Sequence, residues 1–289
     1  MSPDLKCRIA ELDSRLIKLV KPIRVLQFLN WPDSIEETFL EGWRMGHPTL
    51  PVVDFRVPEW GNEIAALDDF VAKCDDDDPI MQFLQRTAWS YAEAGRMLMA
   101  AGTPEFAERS IHLYGRPDDA YATQSFTGVD AATFLLEKTD HLLRGASIEP
   151  TDANLTAEQF AGRLQQAIDA YFVDDAIDVV VDNELSSKAI AGTTRIRIRG
   201  SAVFSDLDFD QLYHHEALVH VATAINGRRQ TNLRSLGLGA PRTTRTQEGI
   251  AVFAELATRA SDIKRHDHTR PLLRFGVSSA PPLCSALGT

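Results

Sequence analysis

The sequence predicts an α+β protein, mainly helical, with a small sheet packed beside a helix that carries two histidines and a glutamate. Three observations lead there. Apolar residues recur at helical spacing through the first half of the chain. Two short segments rich in β-branched or strictly alternating residues follow. After them comes an amphipathic pattern that contains His215, Glu216 and His220.

Leu5, Ile9, Leu12, Leu16, Leu19 and Val20 mark the first helical segment, which runs from Leu5 to Leu29 and closes at Asn30-Trp31-Pro32. Helical patterns recur over Ser34 to Met45, Ile64 to Cys74, Pro79 to Ala101 and Pro104 to Tyr114, separated by loops such as Gly115-Arg116-Pro117-Asp118. Residues 1–145 thus form a mainly helical N-terminal section. A helix from about Thr156 to Phe172 leads into Ala176-Ile177-Asp178-Val179-Val180-Val181-Asp182, a strand by its β-branched run. Thr194-Arg195-Ile196-Arg197-Ile198-Arg199 alternates charged and apolar residues, which suits a half-exposed strand at a sheet edge, where arginines oppose unwanted pairing. Residues 146–265 form the section that carries chemistry, in one domain continuous with the first. Residues 266–289, with Val277-Ser278-Ser279-Ala280-Pro281-Pro282-Leu283-Cys284, form an irregular tail.

Composition limits the function classes. No stretch approaches the roughly 18 apolar residues of a membrane span, and the start lacks the apolar core of a secretory signal, so the expected location is cytoplasmic. Cys7, Cys74 and Cys284 are widely spaced and are taken as free thiols. A net charge of −11 argues against nucleic acid and anionic membranes as partners. The one dense basic stretch runs from Arg228 to Arg245. Asp75-Asp76-Asp77-Asp78-Pro79 lacks the alternating ligands and glycine of a calcium loop and fits a solvated loop. His47, His112 and His141 are isolated, and His266 and His268 suit a solvated helix end.

Ser205-Asp206-Leu207-Asp208 is a good cap for the helix that contains Tyr213-His214-His215-Glu216-Ala217-Leu218-Val219-His220. Leu218, Val221, Ala222 and Ile225 supply its core stripe, and Asn226-Gly227 its stop. In a His-Glu-x-x-His zinc motif the histidines lie about 40° apart around a helix and share one ion. Here the spacing is five, which sets His215 and His220 about 140° apart on a regular helix. Joint ligation therefore requires a one-residue π-bulge between them, a feature frequent at functional sites.

A third ligand strengthens the case. Gln247-Glu248-Gly249-Ile250-Ala251 opens another amphipathic helix, with Thr244-Arg245-Thr246-Gln247 as its capping box and Glu248 in the first turn. Two histidines and a glutamate from a second helix make the usual catalytic zinc site, with one position left open. The expected cofactor is one zinc ion.

These residues resemble a metallopeptidase family with a His-Glu-x-x-x-His helix followed by Gln-Glu-Gly-Leu-Ala. It includes bacterial flavohemoglobin expression-modulating QEGLA motif proteins and animal microtubule-associated tyrosine carboxypeptidases. The resemblance runs from about Val179 through Ala189-Ile190-Ala191-Gly192, Arg195 to Arg199 and His215 to Gln230, ending near Leu256, and touches Leu113-Tyr114-Gly115-Arg116-Pro117. It implies a zincin-like active-site helix, zinc on His215, His220 and Glu248, and Glu216 as the catalytic glutamate. Ile250 stands where the family has leucine, and the family's C-terminal part is missing from the expected tail.

The implied activity is that of a carboxypeptidase acting on a peptide or protein C-terminus. Water activated by zinc would be the nucleophile, and Glu216 the general base that later passes the proton to the leaving amine. Holding the substrate's terminal carboxylate requires a cation, for which Arg228, Arg229, Arg242 and Arg245 are candidates. Tyr213 and His214 adjoin the motif, but neighbours one and two positions away point elsewhere on a helix. Tubulin is the target of the animal relatives, yet no surface here is marked for it, and the negative charge does not complement an acidic tail. The alternative is a non-catalytic helical regulatory or binding protein with a structural metal or none. Sequence leaves the oligomeric state open.

Overall fold

A computed structural model describes residues 3–28, 33–74, 77–120, 125–143, 153–185 and 187–260. Among these residues helices dominate and a single three-stranded sheet accompanies them, so the α+β expectation holds. No helix among them is long and apolar enough to cross a membrane. Asp75, Asp76, the Asn30–Pro32 turn, His266, His268, Cys284 and the whole expected tail lie outside the described residues.

The chain forms two compact units. The first contains Met1–Tyr114 together with Thr231–Arg242. Its helices are α1 (Pro3–Val20), α2 (Asp33–Arg44), α3 (Gly61–Lys73), α4 (Pro79–Met99) and α5 (Pro104–Tyr114). The first helix stops at Val20 rather than continuing to Leu29. Pro22 disfavours helical backbone at the residue before it, and the chain resumes as a short 3₁₀ turn over Val25–Phe28. Asp78 starts α4 by accepting from the amides of Ile80 and Met81, with Pro79 preset in the first helical position. Leu16, Leu67, Phe70, Leu84 and Leu98 are fully enclosed in this unit's core. A side chain on Gly95 would come within 3.1 Å of Ile64, so glycine is what lets α3 and α4 approach so closely.

The first unit ends at Tyr114, and Thr231–Arg242 returns to it. Local contacts explain the return. The buried Asp13 carboxylate on α1 accepts from the amides of Arg234 and Ser235 at 2.9 Å each, and the Tyr91 hydroxyl donates to the Gly239 carbonyl at 3.3 Å.

The second unit takes in Gly115–Gln230 and the segment that begins at Thr243. It adds α6 (Gly128–Leu143), which the sequence patterns did not isolate, and α7 (Ala157–Tyr171), started by a reciprocal Thr156–Gln159 capping box. The strands β1 (Asp178–Asp182), β2 (Ala189–Ala191) and β3 (Arg195–Arg199) lie in the order β1-β3-β2, with β1 parallel and β2 antiparallel to β3. The arginine strand is therefore central, not an edge. Its alternation survives because one face still meets solvent: Ile196 and Ile198 are fully buried in a cluster with Phe160, Leu164 and Ile168 of α7. Arg197 on the opposite face pairs with Asp182 at 3.2 Å. Then follow α8 (Asp206–Leu212), a π segment (Tyr213–Val221), α9 (Ala222–Arg228) and α10 (Thr244–Thr258).

Candidate metal centre

Ser205 caps α8 through a reciprocal pair with Asp208, a buried carboxylate that also receives Lys188 at 3.0 Å. Regular helix continues to Leu212 and then gives way to π-helix over the nine residues Tyr213–Val221. The expected one-residue bulge is thus a longer π segment. The buried positions show the change of period: Leu212 and Ala217 are five apart, whereas Ala217, Val221 and Ile225 follow at intervals of four. In the wider winding, residues five apart stack above one another. His215 and His220 consequently lie on one side, ring centroids 4.9 Å apart and inclined at 67°.

Helix α10 supplies the carboxylate. Its packing against the π segment buries Ala251 and Glu255 and places Glu248 over the imidazoles. Glu248 Oε2 is 3.4 Å from His215 Nε2, and Oε1 is 3.5 Å from His220 Nε2. One ligand atom from each of the three residues can be chosen so that all lie within 4.8 Å of one another. With metal–ligand bonds of about 2.0–2.2 Å, ligand atoms on tetrahedral zinc stand roughly 3.3–3.6 Å apart. Each histidine nitrogen has one Glu248 oxygen at that separation, a different oxygen for each, and the donor set of two imidazoles and one carboxylate suits the ion. The helix starts one residue earlier than expected: Thr243 is its N-cap position with no side-chain cap hydrogen bond, no capping box forms over Thr244–Gln247, and Glu248 falls in the second turn.

Two further carboxylates shape the cluster. Glu216 Oε2 accepts from the Ala191 amide of β2 at 2.9 Å. Burial pushes the Glu216 carboxyl up from its ordinary value, while His215 and His220 pull it down. Glu255, which sequence reasoning missed, is buried and lies 2.6 Å from His215 Nδ1. A signal existed in its position seven residues after Glu248, two turns along one helix face.

The other candidates lie elsewhere. His214 Nδ1 is 2.7 Å from the Asp210 carbonyl of its own helix, and Tyr213 stacks on Phe209 with centroids 6.0 Å apart. Arg228 donates to the Thr193 carbonyl at 2.6 Å, and Arg229 pairs with Asp175 at 2.7 Å. Arg242 belongs to the first unit, where it bonds Thr87 and lies over the Phe83 ring at 5.0 Å. Arg245 is exposed on α10, three positions before Glu248.

Fold and site together define a class: an α+β protein in which a π segment presents two histidines to a glutamate of a neighbouring helix, with two further glutamates, Glu216 and Glu255, beside them. The sequence profile of the microtubule-associated tyrosine carboxypeptidase family matches residues 37–269, most of the chain, and the protein belongs to that family. No curated protein and no solved structure gives a significant match.

Proposed function

We propose that this chain is a zinc-dependent carboxypeptidase. The observation that carries the reading is the convergence of His215, His220 and Glu248 on one point, 3.4 and 3.5 Å between glutamate and histidine atoms, despite a histidine spacing that regular helix would send apart. These three residues would hold the ion. Bound zinc supplies Lewis acidity, polarising a scissile carbonyl and making water a better proton donor. Glu216 is the base: the Ala191 amide holds its Oε2, and Oε1 is the atom that takes a proton from the attacking water and returns it to the leaving amine.

For the substrate's terminal carboxylate, the candidate cation of this reading is Arg245, three residues before Glu248 on α10. The family's description names tyrosine as the residue removed and microtubules as the partner. For this chain the proposal is confined to a C-terminal residue of a peptide or protein. The test compares peptides with free and amidated C-termini, alongside metal analysis of the purified protein. Hydrolysis of the free-acid peptide alone, with one zinc per chain, is expected; equal rates on both peptides would refute exopeptidase action. Glu216→Gln separates the enzyme from a protein with a purely structural metal, since only the enzyme needs that carboxylate.

A further inference from the structure

We propose that Glu255 is a positioning residue that fixes His215 in the tautomer whose Nε2 lone pair faces Glu248 and His220, an inference that builds on the metal-site reading above. Glu255 follows Glu248 by seven residues, so the two carboxylates rise from one side of α10, about 10 Å apart along its axis. The His215 ring bridges them. Its Nδ1 lies 2.6 Å from Glu255 Oε1 and its Nε2 3.4 Å from Glu248 Oε2.

A carboxylate only accepts, so the nitrogen facing Glu255 must carry a proton. In the neutral ring, the form that can bind a metal, the single N–H is then on Nδ1 and the lone pair on Nε2, directed at the cluster. Gln211, one turn before His215, donates to the other oxygen of Glu255 at 3.1 Å. Each oxygen of the carboxylate thus has a donor, and at 5% exposure water does not compete for either. The site is set before any ion arrives: ring orientation, tautomer and the direction of the lone pair are fixed by a residue that does not touch the ion. Carboxylates that hold a ligating histidine in this way contribute about 10- to 100-fold in metal affinity.

The test uses two measurements on the full chain. Nitrogen-15 NMR of the metal-free protein reads the His215 tautomer, and chelator competition reads zinc affinity. In the wild type His215 is expected as the Nδ1–H form. Glu255→Ala should move it towards the Nε2–H form that an unconstrained neutral histidine side chain favours and weaken zinc binding about 10- to 100-fold, with an unchanged circular dichroism spectrum. An unchanged tautomer, or an affinity within about threefold of wild type, overturns the proposal. If Glu255→Ala does not fold, Glu255→Gln keeps the volume and removes the charge. A loss of at least about tenfold is then expected, and undiminished affinity overturns the proposal. A wild type that binds no zinc while showing the Nδ1–H form would refute the metal reading and leave the positioning role standing.

Discussion

Shortening Glu248 by one methylene tests the metal centre through reach alone. Glu248→Asp keeps the charge and withdraws the carboxylate by about one carbon–carbon bond, roughly 1.5 Å. The backbone of α10 cannot follow easily, because Ala251 and Glu255 on its inner face are buried against the rest of the second unit. Separations of 3.4 and 3.5 Å to the histidine nitrogens would then approach about 5 Å, well beyond the roughly 3.3–3.6 Å that tetrahedral zinc accepts and beyond its tolerance of about 0.2 Å per bond. We expect zinc affinity to fall at least about 100-fold, equivalent to about 2.7 kcal/mol. Glu248→Gln is the companion, retaining reach and losing charge. Chelator competition measures both, with circular dichroism to confirm that they fold. An aspartate variant that binds within about threefold of wild type would refute the geometric argument, since the ligand triangle would then not depend on the length of that side chain.

Other expectations follow from the same contacts. Glu216→Gln should retain zinc and thermal stability while peptide hydrolysis falls about 10²- to 10⁴-fold; full activity would remove Glu216 from the mechanism. Asp13→Ala leaves two amides, one of them in buried Ser235, without their charged acceptor, and should cost about 3 kcal/mol in urea unfolding. A cost below about 0.5 kcal/mol would mean that the Thr231–Arg242 segment is held by other contacts. Burial pushes the Tyr91 hydroxyl up to about 12 from 10.0. Its contribution to stability is therefore complete below pH 10 and is lost as pH rises towards about 12, because the unfolded chain gives up that proton first. Tyr91→Phe should flatten this alkaline loss in pH-dependent unfolding, and an unchanged slope would contradict the assignment. Burial also raises the Cys74 thiol, so a thiol reagent should label exposed Cys7 well before Cys74, as read by peptide mapping.

The arginines differ in how the fold employs them. Arg229 and Arg228 are engaged with Asp175 and the Thr193 carbonyl, contacts that hold loops in place. Arg245→Ala should raise KM for a free-acid peptide more than it lowers kcat if that residue holds the substrate carboxylate. The opposite split would assign the role elsewhere.

Local pattern was enough to identify much of this protein. Helix periods, the Ser205 cap and the alternating arginine strand are all written in short stretches of sequence, because propensity, capping and amphipathicity act over a few residues. The π segment was legible as well, for a geometric reason: two histidines five apart share a face only if the helix widens. Partners remote in sequence were not legible. Glu255 meets His215 across 40 positions, Ala191 meets Glu216 across 25, and Asp13 meets Arg234 across 221. Nor did alternation reveal that β3 is central, since a half-exposed strand has the same pattern whether one neighbour pairs with it or two. Sequence by itself determined which residues could bind a metal and the local winding they would need. The tertiary structure alone decided that buried Glu255 meets His215, because a hydrogen-bond partner is chosen by packing between helices, and no short-range period encodes that.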